Sequence, residues 1–434
     1  CNAMSLLANE YAFDKDEIAA IGISYQMHGL VAVDRDGVPV MPSIIWCDSR
    51  AVETGNAAFK SLGEVFCLAH YLNSPGNLTA SKLKWVKDNR PETYARIHKI
   101  MLPGDYIAFR TTGEMKTTVS GLSEGILWDA KNETISHDLL KHYGISESLL
   151  CSTVPQFGEQ GFVTPQAAEA LGISANIPVS YRAGDQPNNA FSLNVLEPGE
   201  IAATAGTSGV VYGVIDQPSY DPQSRVNTFV HVNHTEAKKR YGVLLCINGT
   251  GILNSWLQKN VFSGHSYPEM NRLASAVPVG SEGLLCYPFG NGAERVLENR
   301  DPGSMIKNLH FNRHNNAHLA RASQEGLVFS LFYGIEIMVK MGLNINTVRA
   351  GKANMFQSDI FTEAFANTTG ATIELVNTDG AQGAARGAGL GSGIFKDTKE
   401  AFQGLKVLGR VEPKAALTAQ YKDAYGNWLN SLQF

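Results

Sequence analysis

Several things are missing from this 434-residue sequence, and each absence removes a class of function. Its six cysteines, Cys1, Cys47, Cys67, Cys151, Cys246 and Cys286, form no CxxC pair and no cluster at metal-ligand spacing. Neither a disulfide framework nor a zinc site is indicated, and reduced, mostly buried thiols of a cytoplasmic protein are expected. No apolar run approaches the roughly 20 residues that span a bilayer. Without a secretory segment, the Asn-x-Thr triplets at Asn77 and Asn248 are coincidences of composition. A formal net charge of -5 gives no basic footprint for nucleic acid. The GxxxxGK[ST] pattern is absent, which excludes a P-loop ATPase. Gly387-Ala388-Gly389-Leu390-Gly391 approaches a dinucleotide fingerprint, but it comes late in the chain and lacks the downstream acid. An initiating Met is lacking too: residues 1–10 read as the back half of a helix already under way, so residues before Cys1 are expected.

What is present is the composition of a folded chain, 44% hydrophobic and 18% charged, which argues against disorder. The length exceeds one ordinary compact core, so two domains are expected. Ile18 to Val33 (IAAIGISYQMHGLVAV) reads as a buried strand, a turn-rich insert and a second strand. Asp34-Arg35-Asp36-Gly37 supplies hairpin-turn chemistry ahead of Val38 to Ile45. Helices are expected over Ser81 to Asn89, Gly104 to Thr111 and Ala167 to Leu171. A short strand over Ile177 to Tyr181 enters Arg182-Ala183-Gly184-Asp185. Glu200 to Ile215 reads as two strands about a Gly206-Thr207-Ser208-Gly209 tip, and Val243 to Ile247 as another strand. A long amphipathic helix covers Asn316 to Val339, and a strand from Thr372 runs into a helix packed with Ala and Gly. This alternation predicts an α/β protein with a boundary near 195, giving domains 1–195 and 196–434.

Four groups of residues could carry chemistry. In Gly184-Asp185-Gln186-Pro187 a carboxylate at a strand end could take a proton from a bound hydroxyl, or simply cap the following helix. The glycines and hydroxyls of Gly206-Thr207-Ser208-Gly209 could face phosphate oxygens, or form an ordinary hairpin turn. Gln26-Met27-His28-Gly29, with Trp46-Cys47-Asp48-Ser49-Arg50, offers the amide, imidazole and indole groups that suit a polyhydroxylated ligand. His28 could equally be a satisfied core residue, and no second His or Cys stands at metal spacing. The Ala381 to Gly393 run costs roughly 1 kcal/mol per helical Gly, so it marks a close approach, either to a nucleotide or to another helix.

In their order and spacing these segments resemble the FGGY carbohydrate kinases from about Ile18 to about Gly393. Ile21 to Gly29 is similar to the stretch that lines the sugar site in members acting on xylulose, and Ser43 to Arg50 to the strand and turn that follow it. Thr79 to Trp85, Leu102 to Tyr106, Gly292 to Arg295 and His318 to Ala322 also resemble family segments. Ala183-Gly184-Asp185-Gln186 is similar to the catalytic motif, Ala205 to Gly209 to the phosphate-binding hairpin, and Gly380 to Gly387 to the helix near the adenosine.

The resemblance implies two actin-like (ribonuclease H-like) α/β domains with the active site in the cleft, sugar mainly on the first and ATP mainly on the second. It implies phosphorylation of D-xylulose to D-xylulose 5-phosphate, with ribulose, gluconate or glycerol as other acceptors and a non-catalytic sensor as the rival class. Asp185 would be the general base and a Mg²⁺ contact; Gln26, Met27, His28, Trp46 and Gln186 would meet the sugar. Gly206, Thr207, Ser208, Asn354 and Gly383 would meet the nucleotide. The implied partners are a small sugar and ATP with Mg²⁺, with no nucleic acid and no membrane, and a homodimer is kept as one assembly. Two departures stand out. The family's opening Asp-x-Gly-Thr turn is not in the chain, so the chain as written is expected to have little or no activity. Lys352 to Ser358 (KANMFQS) replaces a Gly-Gly-Gly-Ala run, which sets Met355 and Phe356 where adenine contacts are expected.

Overall fold

The computed structural model describes residues 2–11 and 13–433. Cys1 lies outside the described residues; Cys67, Cys151 and Cys286 are free and buried, Cys246 is half-buried and Cys47 is exposed. Among the described residues no helix is long and apolar enough to cross a membrane.

The chain forms two compact units. One comprises Cys1–Asn194, Phe229–Tyr241 and Asp379–Gly404; the other comprises Val195–Thr228, Gly242–Thr378 and Leu405–Phe434. Two later segments are thus counted with the first unit beside the residues up to Asn194.

In the first unit the strand Ile21–Tyr25 pairs in parallel with Val179–Gly184, whose six residues are all buried. The expected strand at 177–181 therefore begins later and runs three residues further, which brings its end to Gly184. Val31–Val33 pairs antiparallel with Lys99–Met101. The 34–37 turn closes as expected, with the Asp34 carboxylate accepting from the N–H groups of Asp36 and Val38 and Gly37 at φ 74°. Val38 to Ile45, however, makes only the isolated bridges Val33–Pro39 and Leu30–Ile44. Pro39 and Pro42 carry no N–H, which explains why no regular ladder forms there.

The helix Gly380–Gly391 lies across both parallel strands, and its composition follows from that contact. A Cβ on Gly391 would sit 2.0 Å from the Ser180 carbonyl oxygen, and one on Gly387 would sit 2.4 Å from the Tyr181 ring. Facing them, a Cβ on Gly22 would sit 2.0 Å from the Ala384 carbonyl oxygen. The helix is started by Asp379, whose side chain accepts from the Gln382 N–H at 2.8 Å.

The second unit is built on a seven-stranded sheet in the order Asn227–Val230, Tyr241–Ile247, Gly209–Ile215, Glu200–Ala205, Thr347–Gly351, Thr372–Val376, Val407–Val411. Glu200–Ala205 and Gly209–Ile215 form an antiparallel hairpin, and Thr347–Gly351 runs parallel to both of its neighbours. The 25-residue helix Asn316–Lys340, capped by the Asn315 side chain, has 16 buried residues. Its buried Arg321–Glu325 pair, 2.7 Å apart, is satisfied further by Tyr421 and Ser281. Such a pair is tolerated in a core when further hydrogen bonds, as here, satisfy more of its donors and acceptors.

Candidate active site

The parallel register sets Tyr25 opposite Gly184. The chain leaving each strand therefore emerges at the same end, and Gln26-Met27-His28 is brought beside Asp185-Gln186 although about 160 residues separate them. Asp185 is the first residue of the Asp185–Ser192 helix; the cap is Gly184, and no side-chain capping bond is made. The helix-cap reading of Asp185 does not apply. Its exposed carboxylate accepts from Gln186 Nε2 at 3.0 Å and from the backbone of Met27. Desolvation by the surrounding protein raises this carboxyl above its ordinary range, and those hydrogen bonds oppose the rise.

The rest of the predicted sugar group lies on the segments that follow Tyr25 and Ile45. The Trp46 N–H donates to Gln26 Oε1 at 3.3 Å, and the indole is 60% exposed. Met27 is buried. His28 has φ 61°, a left-handed conformation that turns the chain sharply, and its ring lies 5.3 Å from that of Phe229. His28 Nδ1 is 2.8 Å from the Glu124 carbonyl oxygen. A carbonyl only accepts, so Nδ1 carries a proton and donates it to that bond.

Three buried groups here went unread in the sequence. Lys82, 0% exposed, donates to the carbonyls of His28 (2.8 Å) and Ile45 (2.9 Å), tying the two loops together. Burial lowers its ammonium to about 8. The signal was there: Lys82 lies between Ser81 and Leu83 on the inward side of its helix. Arg182 and Asp105 form a buried pair at 3.1 Å, with Gln160 accepting from Arg182 Nε at 2.8 Å. Glu124 closes the six-residue helix Val119–Glu124 and carries no sequence signal of its depth.

In the second unit the Gly206-Thr207-Ser208 tip rests on the start of the helix Gly251–Asn260, where Gly251 N–H donates to the Gly206 carbonyl at 2.7 Å. A Cβ on Gly251 would stand 2.3 Å from that oxygen, so only glycine lets the two segments meet. Asn354, at φ 52°, brings its amide Nδ2 within 3.5 Å of a Cβ built on Gly206. Gly206, Thr207, Gly251, Tyr267, Asn271 and Asn354 contribute to the wall of a cavity of about 890 Å³. Met355 also lines it, whereas Phe356 turns inward and meets the Phe361 ring edge-on at 5.2 Å. Tyr267 and Asn271 were missed because nothing in their helical segment marks a binding wall.

Gly383 is placed elsewhere. It is buried in the first unit, where a Cβ would sit 2.7 Å from Ser192 Cβ and 3.1 Å from the Asn188 carbonyl. That close helix-on-helix contact needs a residue without a side chain.

A carboxylate aimed from a strand end in one α/β unit and a glycine-rich hairpin over a cavity in another are the parts of a phosphotransferase. The chain belongs to the FGGY family of carbohydrate kinases: the model of the family's N-terminal domain matches residues 1–192, and that of its C-terminal domain matches residues 201–391. It is therefore a sugar kinase with the mixed α/β, actin-like fold of that family. The xylulose kinase of Bacillus subtilis is 30% identical over 429 residues, covering 94% of this chain and 82% of the relative. The crystal structure of a xylulose kinase from Rhodospirillum rubrum superposes with a TM-score of 0.88 at 22% identity, over 98% of this chain and 86% of that one. A gluconate kinase from Lactobacillus acidophilus gives 0.89 at 22% identity, over 98% and 86%.

Proposed function

We propose that the chain transfers the γ-phosphoryl group of ATP to the terminal hydroxyl of D-xylulose, giving D-xylulose 5-phosphate. The observation that carries this reading is the junction of Asp185 and Gln186 with Gln26, Met27 and His28 at one strand end. Asp185 accepts or orients the hydroxyl proton, which such a transfer needs from a positioned base. Met27 supplies an apolar contact; Gln26, His28 and Gln186 supply hydrogen bonds, and the exposed Trp46 face supplies a wall for the sugar ring carbons. Gly206, Thr207 and Ser208 hold phosphate oxygens as charge spreads over the transferring group, with Asn354 beside them.

Mg²⁺ commonly binds through one or two carboxylates plus substrate phosphates. The exposed Asp185 carboxylate fits one such contact, and no group of three or more metal-binding side chains occurs among the described residues. When bound, the ion neutralises phosphate charge.

The choice of a neutral ketose is supported by how the local cations are engaged. Lys82 serves two carbonyls, and Arg50 is paired with Asp48 at 2.6 Å. A sugar acid calls for an unengaged cation to meet its carboxylate. Gluconate is the second reading, favoured by the likeness to a gluconate kinase fold. ADP release from the full-length protein, measured over xylulose, ribulose, gluconate and glycerol, decides between them. Asp185→Asn is expected to lower kcat by about 10²-fold or more, on the scale of a lost general base, with a small change in sugar KM. Near-normal turnover in that variant would sink the assignment of Asp185.

A further inference from the structure

Lys82 stands in no step of the mechanism above, yet its ammonium holds both loops that carry the sugar group. It lies in the first turns of the Thr79–Asn89 helix with no exposed surface, and donates to the His28 carbonyl at 2.8 Å and the Ile45 carbonyl at 2.9 Å. A buried charge is ordinarily paired with an opposite one. Here both acceptors are neutral. The Asp48 carboxylate acts on Lys82 through its charge without a bond, and is itself held by Arg50 at 2.6 Å. An apolar side chain would fill the same space without the cost of taking an ammonium out of water. The ammonium is therefore explained by what it holds, not by the packing of its helix.

The two carbonyls belong to the peptide groups on which the sugar contacts hang. The Ile45 carbonyl is one end of the peptide whose N–H, on Trp46, donates to Gln26 Oε1 at 3.3 Å, so that peptide is fixed at both ends. His28, at φ 61°, is in a conformation that costs energy for a residue with a side chain and persists where its surroundings hold it. Lys82 holds its carbonyl, the Glu124 carbonyl holds Nδ1 at 2.8 Å, and the Phe229 ring lies 5.3 Å from its ring. Thr79, at the start of the same helix as Lys82, adds a bond from Oγ1 to the Gly29 carbonyl at 3.3 Å. We propose that Lys82 is a positioning residue of the sugar site: one ammonium locks the His28 and Trp46 segments at a fixed separation, so that imidazole and indole meet the acceptor already in place. The proposal rests on the reading of those two side chains as sugar contacts. A loose pair has to be ordered by each sugar that binds, and a fixed pair keeps the affinity that such ordering costs.

Kinetics of the full-length protein in two backgrounds test this. Lys82→Met, which keeps the length and removes the ammonium, is expected to lower kcat/KM for D-xylulose by about tenfold, the scale of two side chains that must be ordered on binding. In a His28→Ala/Trp46→Ala protein the same change is expected to cost less than about twofold, because the side chains it positions are gone. Equal losses in the two backgrounds mean general loosening of the fold and overturn the proposal, as does an unchanged kcat/KM in Lys82→Met. If Lys82→Met does not fold, Lys82→Gln takes its place, and equal losses or no loss with that variant are the overturning results. Hydrogen exchange needs no sugar and reads the clamp itself. Residues 26–30 and 44–50 should exchange faster in the Lys82 variant than in the parent, and unchanged rates there also overturn the proposal. A parent that phosphorylates none of the four acceptors defeats the kinase reading, while the exchange rates still decide whether Lys82 holds the two loops.

Discussion

At Glu294 a carboxylate with no exposed surface accepts the Asn248 N–H, at 2.9 Å to Oε1 and 3.0 Å to Oε2, and is also bonded by the backbone of Gly249. Burial raises it to about 7 despite those bonds. A carboxyl whose folded value lies above its unfolded one stabilises the fold fully below the unfolded value, near 4.5, and that contribution is lost as pH rises through about 7. The loss is on the order of 3 kcal/mol between those limits. Glu294→Gln cannot ionise, so its melting temperature should fall less than the parent's between pH 5 and 8, as thermal melts at half-unit steps will show. Parallel curves for the two proteins would contradict this. Glu294 was visible in the sequence only as part of the Gly292 to Arg295 segment. Its depth was not, because a lone Glu between Ala and Arg reads as an ordinary solvated charge. Asp185 shows the reverse: its segment alone favoured a helix cap, and only the Gly184 N-cap decided against that.

Among the elements, the Gly380–Gly391 helix carries the plainest mechanical constraint. The Gly391 position faces the Ser180 carbonyl at 2.0 Å from a would-be Cβ, and both partners are backbone. Gly391→Ala therefore has to push the helix off the Val179–Gly184 strand, with an expected cost of about 2–3 kcal/mol from overpacking. Denaturant melts check the cost. Because Asp185 continues that strand, the same variant should lose more kcat than sugar affinity; a fully stable Gly391→Ala protein would refute the contact. Helix and strand types were largely legible here. Apolar alternation marked the two hairpin strands about Gly206–Gly209, which appear as Glu200–Ala205 and Gly209–Ile215. The apolar periodicity of Asn316 to Val339 marked the long helix within one residue of its observed end at Lys340. Val38 to Ile45 misled, since its apolar residues are interrupted by two prolines that deny it a ladder.

The whole molecule contains two compact units, each with its own sheet and core. Calorimetry of the full-length protein is expected to resolve two unfolding transitions. A non-hydrolysable ATP analogue should raise the transition of the unit that holds the 890 Å³ cavity, and D-xylulose should raise the other. At a hundredfold excess over Kd, each ligand adds about 2.7 kcal/mol to the unit that binds it. Both ligands raising one and the same transition would show that the two functions are not divided as proposed. By itself the sequence determined the α/β class, most helices and strands, and the ordered motifs Gln26 to Gly29, Gly184 to Gln186 and Gly206 to Gly209. These depend on local periodicity and on short runs of special residues, which a linear reading can see. Only the tertiary structure decided that Gly383 packs against a helix, that Asp379–Gly404 returns to the first unit, and that Lys82 and Glu124 are buried against His28. Those outcomes depend on which distant strands lie side by side. Burial and close approach are properties of such neighbours, and no window of sequence contains them.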